Sequence, residues 1–194
     1  MPRLSLPSHR RILGLDPALR TLGFAKLQQT STTLVPIELG LIQTDEVDEL
    51  SASQSNFIAG QDLYASFRDL IVDENGIPTV DEIRAEAMSF PPGAASAAKI
   101  SICWGVLATL TREHGIPLKQ ASPQTIRKAL SLPKRSIDEK ELGKDDVLRA
   151  MEAKFGARTI ADLLARGNIT RKADKRHPID ALAAAVAIGE TGNV

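Results

Sequence analysis

The segment 178–189, which reads PIDALAAAVAIG, constrains the fold more than any other part of the chain. Almost every residue after Asp180 is Ala, Leu, Val or Ile, and Gly189 is a typical helix stop. The segment therefore predicts a helix in apolar surroundings. Asp180 lies at the head of this helix, where a charge usually needs a partner or a metal ion. One short stretch thus predicts both a core helix and a candidate site.

The remaining segments alternate between strand and helix patterns. Apolar runs bounded by turn residues predict strands at 12–15, 21–28, 33–43, 79–87 and 116–121. Apolar stripes and caps predict helices from Ser53 to the Asn75-Gly76 stop and at 94–113, 122–131 and 144–153. The first three strands follow one another directly, which indicates an antiparallel meander. The pattern predicts an α/β fold, with a mixed five-stranded sheet flanked by helices.

Length, cysteine count and hydropathy bound the organisation of the chain. Its 194 residues contain no repeat and no long linker, which predicts one domain over 11–190 after a flexible arm at 1–10. Cys103 is the single cysteine, so no intramolecular disulfide is expected. No run longer than 12 residues lacks a charged residue or histidine, so we expect no membrane span and no membrane partner. No secretory signal is recognisable, and we expect a cytoplasmic protein.

The net charge of zero is a cancellation between blocks of opposite charge. Residues 1–37 carry five basic and one acidic residue, 38–86 carry two and twelve, and 87–137 carry seven and one. The segment 154–176 carries seven basic and two acidic residues. A polyanion could bind the basic blocks while the acidic block faces away, because salt screens each field within about 8 Å. A solvated surface of uneven charge is the alternative interpretation.

Four side chains are candidates for one metal site. Asp16 ends the first predicted strand, Glu86 ends the fourth, and His177 and Asp180 lie three residues apart at the head of the last helix. Hard divalent cations prefer oxygen ligands, and two ions about 3.5–4 Å apart can activate a water and stabilise a leaving oxygen. Each residue alone also fits a turn, a solvated strand end or a helix terminus. Their shared apolar settings favour the metal site.

Three segments resemble the RuvC-type Holliday junction resolvases. ILGLDPALRTLGFA (12–25) is similar to the opening hairpin of that family, RAEAMSFPPGAASAAKIS (84–101) to its second motif, and HPIDALAAAVA (177–187) to its closing motif. The three motifs occur in the family's order over roughly 11–190. The resemblance implies a ribonuclease H-like fold and a homodimer formed through the helix at about 94–113. It also implies metal-dependent paired nicks in four-way or other branched DNA.

The resemblance also implies roles for individual residues. Asp16, Glu86, His177 and Asp180 would bind two Mg²⁺ or Mn²⁺ ions, with His177 neutral, so activity should fall below about pH 6.5. Lys144 falls near a family lysine that contacts DNA and assists catalysis. The other expected DNA contacts are Arg127, Lys128, Lys134, Arg135, Phe90, Arg171, Lys172, Lys175 and Arg176. For these residues, solvated surface charge, or plain packing for Phe90, remains the alternative.

Three features depart from the family pattern. Ala18 stands where the family usually has glycine after Asp-Pro, and residues 154–176 are longer than the usual approach to the last motif. Phe90 is displaced by one residue from the aromatic that many relatives insert into the junction. We interpret the chain as an outlying member, of the kind that viruses encode, with relaxed substrate choice. Two other functions stay open at this point. One is a ribonuclease H-like nuclease that cuts RNA or RNA/DNA hybrids, and the other is a non-catalytic module that binds branched DNA.

Overall fold

A computed structural model of the protein describes residues 9–88, 93–132 and 145–190. Within these ranges, five strands form one sheet: β1 (Arg10–Asp16), β2 (Thr21–Gln29), β3 (Leu34–Gln43), β4 (Glu82–Glu86) and β5 (Leu118–Ala121). The strand order is β3-β2-β1-β4-β5. β2 pairs antiparallel with β1 and β3, whereas β4 pairs parallel with β1 and β5. The predicted α/β fold, with three antiparallel strands first, is confirmed.

Six helices accompany the sheet within the described ranges: α1 (Ala52–Ile71), α2 (Ala94–Glu113), α3 (Pro123–Ala129), α4 (Asp146–Phe155), α5 (Ala157–Arg166) and α6 (Arg176–Glu190). Local capping explains several of their starts. Ser51 and Gln54 form a reciprocal capping box at the head of α1. Ser122 caps α3 by accepting a hydrogen bond from the Thr125 amide, with Pro123 in the first turn.

The sheet separates two hydrophobic clusters. Leu13 and Leu15 of β1 point to the face covered by α1 and α2. Ile12 points to the opposite face, where it packs in the cluster formed by α3, α4, α5 and α6. This alternation follows from the two-residue period of side chains along a strand. The chain therefore buries both faces of β1, and Asp16 lies at the end of this central strand.

Helix α6 lies unusually close to β1 and β2. Every residue from Ala181 to Ala187 is fully buried. A Cβ at Gly14 would overlap the carbonyl of Ala181, and a Cβ at Gly23 would lie 2.7 Å from the Cβ of His177. Gly23 is also the cross-strand partner of Asp16. The absence of these two side chains lets the first turn of α6 sit beside the end of β1.

Some predicted boundaries differ from the structure. The helix α1 ends at Ile71 instead of at the Asn75-Gly76 stop. Asp73 Oδ1 accepts hydrogen bonds from the amides of Asn75 and Ile77, so a turn replaces the last predicted turn of helix. The strand β1 begins at Arg10, inside the segment predicted as an arm. The first eight residues of that arm lie outside the described residues.

The helix α5 was not predicted. Its buried residues Ile160, Leu163 and Leu164 have the spacing of an amphipathic helix and complete the cluster around α6. The many basic residues between 154 and 176 indicate a nucleic-acid contact, and they make the apolar spacing of α5 less conspicuous in the sequence. The segment contains both features, because the basic residues nearest the site follow α5 instead of forming it.

The helix α2 has the predicted bounds, yet it is not buried all round. Its buried residues, Cys103, Leu107, Leu110 and Thr111, form one stripe toward the core. Its other residues are exposed or half-buried. Among the described residues, α2 is the one helix whose length and composition would permit a membrane span. Ile102, Trp104 and Val106 are half-buried and pack against the edge of the same cluster.

Candidate active site

The four predicted metal-binding residues line one cleft, as the sequence predicted. The cleft has a volume of about 770 Å³ and lies at the carboxyl ends of β1 and β4, against the first turn of α6. Asp16 and Glu86 are the last residues of their parallel strands, and His177 and Asp180 come from the helix. Because β1 and β4 are neighbours, their ends bring both carboxylates to the same edge of the sheet.

Asp16 and His177 contact each other directly. The Nδ1 atom of His177 lies 2.6 Å from Oδ2 of Asp16, which joins the end of β1 to the head of α6. The hydrogen bond with Asp16 raises the pKa of His177, and burial of the ring opposes this effect. The imidazole therefore holds its proton more firmly than an exposed histidine does. A metal ion would require the imidazole of His177 in its neutral form.

Glu86 and Asp180 are partly buried near other carboxylates. Burial raises the pKa of Glu86 to about 7, and the negative charges of Asp16 and Asp180 add to that effect. Burial and the charge of Asp16 raise the pKa of Asp180 to about 6, while the guanidinium of Arg176 opposes the shift. Both carboxylates resist ionisation because burial and the neighbouring anions outweigh the opposing charge of Arg176. A bound cation would add positive charge.

The donor types fit hard divalent ions, since the four candidate ligands are three carboxylates and one imidazole. In the described parts of the chain, no three acidic, histidine or cysteine side chains lie close enough to hold a metal ion as they stand. Two of the donors are instead engaged with groups that carry a positive charge or a proton. His177 bonds Asp16, and Nε of Arg176 lies 3.2 Å from Oδ2 of Asp180.

The rim of the cleft is basic on one side. Lys172, Lys175 and Arg176, all predicted DNA contacts, line it, and Arg171 is exposed beside them. These residues come from the turn that leads into α6 and from its first residue. Contact between these basic residues and DNA phosphates stays a prediction.

The opposite wall of the cleft was missed by sequence reasoning. Val147 and Leu148 of α4 line it, together with Asp145 immediately before that helix. Asp145 is exposed and adds an acidic group to the rim. Asp145 belongs to the motif GKDD at 143–146, so the sequence already offered an acidic residue at this position.

The other predicted DNA contacts lie elsewhere or outside the described residues. Arg127 and Lys128 lie on α3 and do not themselves line the cleft. Arg127 pairs with Asp146 at 3.7 Å, which connects α3 to α4. Four predicted residues fall outside the described ranges: Phe90, Lys134, Arg135 and Lys144.

A second ionic cluster, also unpredicted, lies at the amino end of β4. The side chain of Glu82 is fully buried, and its oxygens meet Arg84 at 2.6 Å, Arg10 at 2.9 Å and Lys119 at 3.2 Å. Arg84 also donates hydrogen bonds to the carbonyl of Ala185 in α6 and to Gln29. The cluster therefore ties β1, β4 and β5 to one another and to α6.

One curated protein matches the chain in sequence. No protein-family model matches the chain. The crossover junction endodeoxyribonuclease RuvC of Brevibacillus brevis (strain 47) is 26% identical over 122 residues, which cover 62% of this chain and 67% of that protein. This match confirms in sequence the resemblance that the three motifs indicated.

Several solved structures share the fold. RuvC of T. thermophilus in complex with a Holliday junction substrate superposes with a TM-score of 0.62 at 16% identity, covering 94% of both chains. The fowlpox virus resolvase in complex with Holliday junction DNA gives 0.57 at 11% identity, covering 93% of this chain and 97% of that one. The yeast mitochondrial Holliday junction resolvase gives 0.55 at 14% identity, covering 92% and 77%.

Proposed function

We propose that this chain, a RuvC-type resolvase in sequence and in fold, is a crossover junction endodeoxyribonuclease that cuts branched DNA. The observation that carries the proposal is the cleft in which Asp16, Glu86, His177 and Asp180 meet beside a basic rim. Three acids and a histidine in one partly buried cleft are poorly explained by DNA binding alone, because carboxylates repel phosphates. They are well explained by a reaction that needs divalent ions.

Two of the four donors come from the ends of neighbouring strands, and the other two come from the first turn of α6. Asp16 lies between Glu86 on the neighbouring strand and the first turn of α6, so it is the residue best placed to serve both metal ions. Glu86 and Asp180 would complete the oxygen shells, and His177 would contribute a neutral nitrogen. Two bound Mg²⁺ or Mn²⁺ ions would activate a water and stabilise the leaving oxygen, giving 5′-phosphate and 3′-hydroxyl ends.

The protein's own residues place the DNA. Lys172, Lys175 and Arg176 at the rim, with Arg171 beside them, would contact the phosphate backbone without reading the sequence. Binding through such contacts should weaken steeply as salt rises, because each neutralised phosphate releases counterions. The basic rim and the acidic floor of the cleft together hold the backbone at the site while leaving the scissile phosphate to the metal ions.

A second copy of the chain is the proposed occupant of the exposed side of α2. Between α1 and α2 lies an apolar groove of about 580 Å³, lined by Phe57, Tyr64, Ile102 and Val106 among others. The side chain of Phe57 is 66% exposed. A two-fold dimer through this face would present two clefts to a four-way junction, which has matching symmetry. We expect Phe57→Asp to convert a dimer into a monomer in analytical ultracentrifugation.

Cleavage of labelled DNA tests the proposed function. We expect symmetric nicks in a four-way junction with Mg²⁺ or Mn²⁺, none with EDTA, and none in Asp16→Asn. Asp162→Asn, an exposed acid of α5, is the matched control and should cut like the unmodified protein. Linear duplex, a fork and an RNA/DNA hybrid complete the set. Cutting of the hybrid alone would reassign the function to RNA, and tight junction binding without cutting would favour a binding module.

A further inference from the structure

Arg176 and Asp180 form an ion pair across the first turn of α6. The Nε atom of Arg176 lies 3.2 Å from Oδ2 of Asp180, and the two residues are four positions apart on the helix. The side chain of Asp180 is 20% exposed, whereas that of Arg176 is 58% exposed. Both line the cleft. The pair therefore joins a partly buried metal-binding candidate to an arginine at the mouth of the site.

A metal ion and a guanidinium compete for the same carboxylate. Each neutralises Asp180, and two cations a few ångströms apart repel each other strongly in a partly buried site. The long arginine side chain lies at the mouth of the cleft, so it can leave Asp180 without any change in the backbone of α6. The neighbouring Lys172 and Lys175 mark the direction from which a phosphate backbone would approach.

We propose that Arg176 is a further catalytic residue, which neutralises Asp180 before metal binds and then turns to the phosphate of the bound DNA. This inference rests on the proposed function. A guanidinium suits both positions, since its planar array of donors bonds carboxylates and phosphates alike. Arg176 pairs with the carboxylate of Asp180 when no metal is bound, and with a DNA phosphate when metal is bound. In both states the positive charge of Arg176 is paired with a negative one.

The chain contains a matched control for this pair. Arg158 and Asp162 lie four positions apart on α5, with Nε and Oδ2 4.0 Å apart, and both side chains are exposed. The pair has the same residue types and the same helical spacing. It does not line the cleft. Removing Arg158 therefore changes the net charge by the same amount without touching a candidate metal ligand.

Two measurements on the intact protein test the inference. The first is Mn²⁺ binding by calorimetry without DNA, for the unmodified protein, Arg176→Ala, Arg176→Lys and Arg158→Ala. We expect Arg176→Ala to bind Mn²⁺ about tenfold more tightly, because a competing positive charge is gone. Arg176→Lys and Arg158→Ala should bind it as the unmodified protein does. Thermal unfolding of each variant verifies that it is folded.

The second measurement is junction cleavage at saturating Mn²⁺. We expect Arg176→Ala to lower kcat about a hundredfold, as loss of a donor to a transition-state oxygen does, with a smaller effect on KM. Arg176→Lys should restore part of the rate because it keeps the charge and loses the paired donors. Arg158→Ala should cut normally. Tighter metal binding together with slower cutting is the signature of the proposed exchange.

The outcomes separate this inference from the proposed function. Metal affinity that is unchanged or weaker in Arg176→Ala, or an unchanged kcat, would overturn the inference while the unmodified protein still binds metal and cuts junctions. An unmodified protein that neither binds Mn²⁺ nor cuts any branched DNA would overturn both. A merely structural role for Arg176 would lower thermal stability and both kinetic constants without raising metal affinity.

Discussion

The two glutamates of β4 lie four residues apart on the same face of the strand, yet their surroundings are opposite. Burial alone would raise the pKa of Glu82, but hydrogen bonds from Arg84 and Lys119 and the charge of Arg10 more than offset it, and the pKa is lowered. Burial raises the pKa of Glu86 to about 7, and the carboxylates of Asp16 and Asp180 reinforce that effect. One glutamate is surrounded by cations, and the other by anions.

The opposite pKa shifts of Glu82 and Glu86 indicate that the first carboxylate has a structural role and the second a functional one. Glu82 has its positive partners within the protein, so its ionised form stabilises the assembly of β1, β4, β5 and α6. Among the described residues, Glu86 has no such ion pair and only the charge of Arg176 opposes its anionic neighbours, so its ionised form is costly until further positive charge is supplied. Substitutions at the two positions should therefore have opposite effects on activity and on stability.

The largest expected effect is on cleavage. Glu86→Gln removes a proposed metal ligand, and we expect the rate of junction cutting to fall about a thousandfold or more, equivalent to several kcal/mol of transition-state stabilisation. The measurement is single-turnover cleavage with saturating Mg²⁺. Glu82→Gln is the matched control on the same strand, and its folded fraction should cut at nearly the normal rate. Equal losses in the two variants would contradict the distinction.

The next effect is on stability at the other end of β4. Glu82→Gln leaves the buried guanidinium of Arg84 without its anion, and we expect the free energy of unfolding to fall by about 3 kcal/mol. Denaturant unfolding at pH 7 measures this. The double variant Glu82→Gln with Arg84→Met should recover much of the loss, because no buried charge then lacks a partner. A loss below about 0.5 kcal/mol would show that the cluster is not structural.

Glu86→Gln should stabilise the metal-free protein. The folded state holds a proton on Glu86 up to about pH 7, while the unfolded chain releases it near 4.5, so stability falls as pH rises between these values. We expect the variant to gain about 2 kcal/mol at pH 8 and nothing at pH 4. Unfolding curves in EDTA at both pH values test this, and added Mn²⁺ should stabilise the unmodified protein more than the variant. A gain at pH 4 equal to that at pH 8 would argue against the titration of Glu86.

The smallest effect distinguishes the partners of Glu82 from one another. Lys119 lies 3.2 Å from Glu82, but its side chain is 36% exposed, so solvent screens the pair. We expect Lys119→Ala to lower the free energy of unfolding by about 0.5 kcal/mol, far less than loss of the buried Arg84. Raising the salt concentration should shrink the effect further. A cost as large as that of Glu82→Gln would mean that the three cations act as one unit.

The sequence predicts the fold class and the opening antiparallel meander, because local signals are strong in this chain, whereas the strand order comes from the structure. Apolar runs ended by turns marked the strands of the sheet, and the Asp-Pro turn and the helix head placed Asp16 and Asp180 at element ends. Residues at the ends of neighbouring parallel strands must meet, so the positions of Asp16 and Glu86 followed from the strand order. The cleft that unites them with His177 is a consequence of that topology.

Pairings between distant side chains could not be predicted. Glu82 reads as a surface residue in VDEIRAEA, and only the sheet brings Arg10 and Lys119 from the neighbouring strands to it. The bond between Asp16 and His177 joins residues 161 positions apart and depends on the close approach of α6 at Gly23. The apolar spacing of α5 is present in the sequence, but the many charged residues around it weaken that helix signal.

The close packing of α6 on β1 has a consequence for synthesis of the protein. Asp16 leaves the ribosome 161 residues before His177 does, and at about 5–20 residues per second the nascent chain spends about 8–30 seconds without the second half of its cleft. During that interval the sheet lacks the helix α6, and the carboxylate of Asp16 lacks the imidazole of His177. Docking of this one helix therefore completes both the hydrophobic core and the cleft.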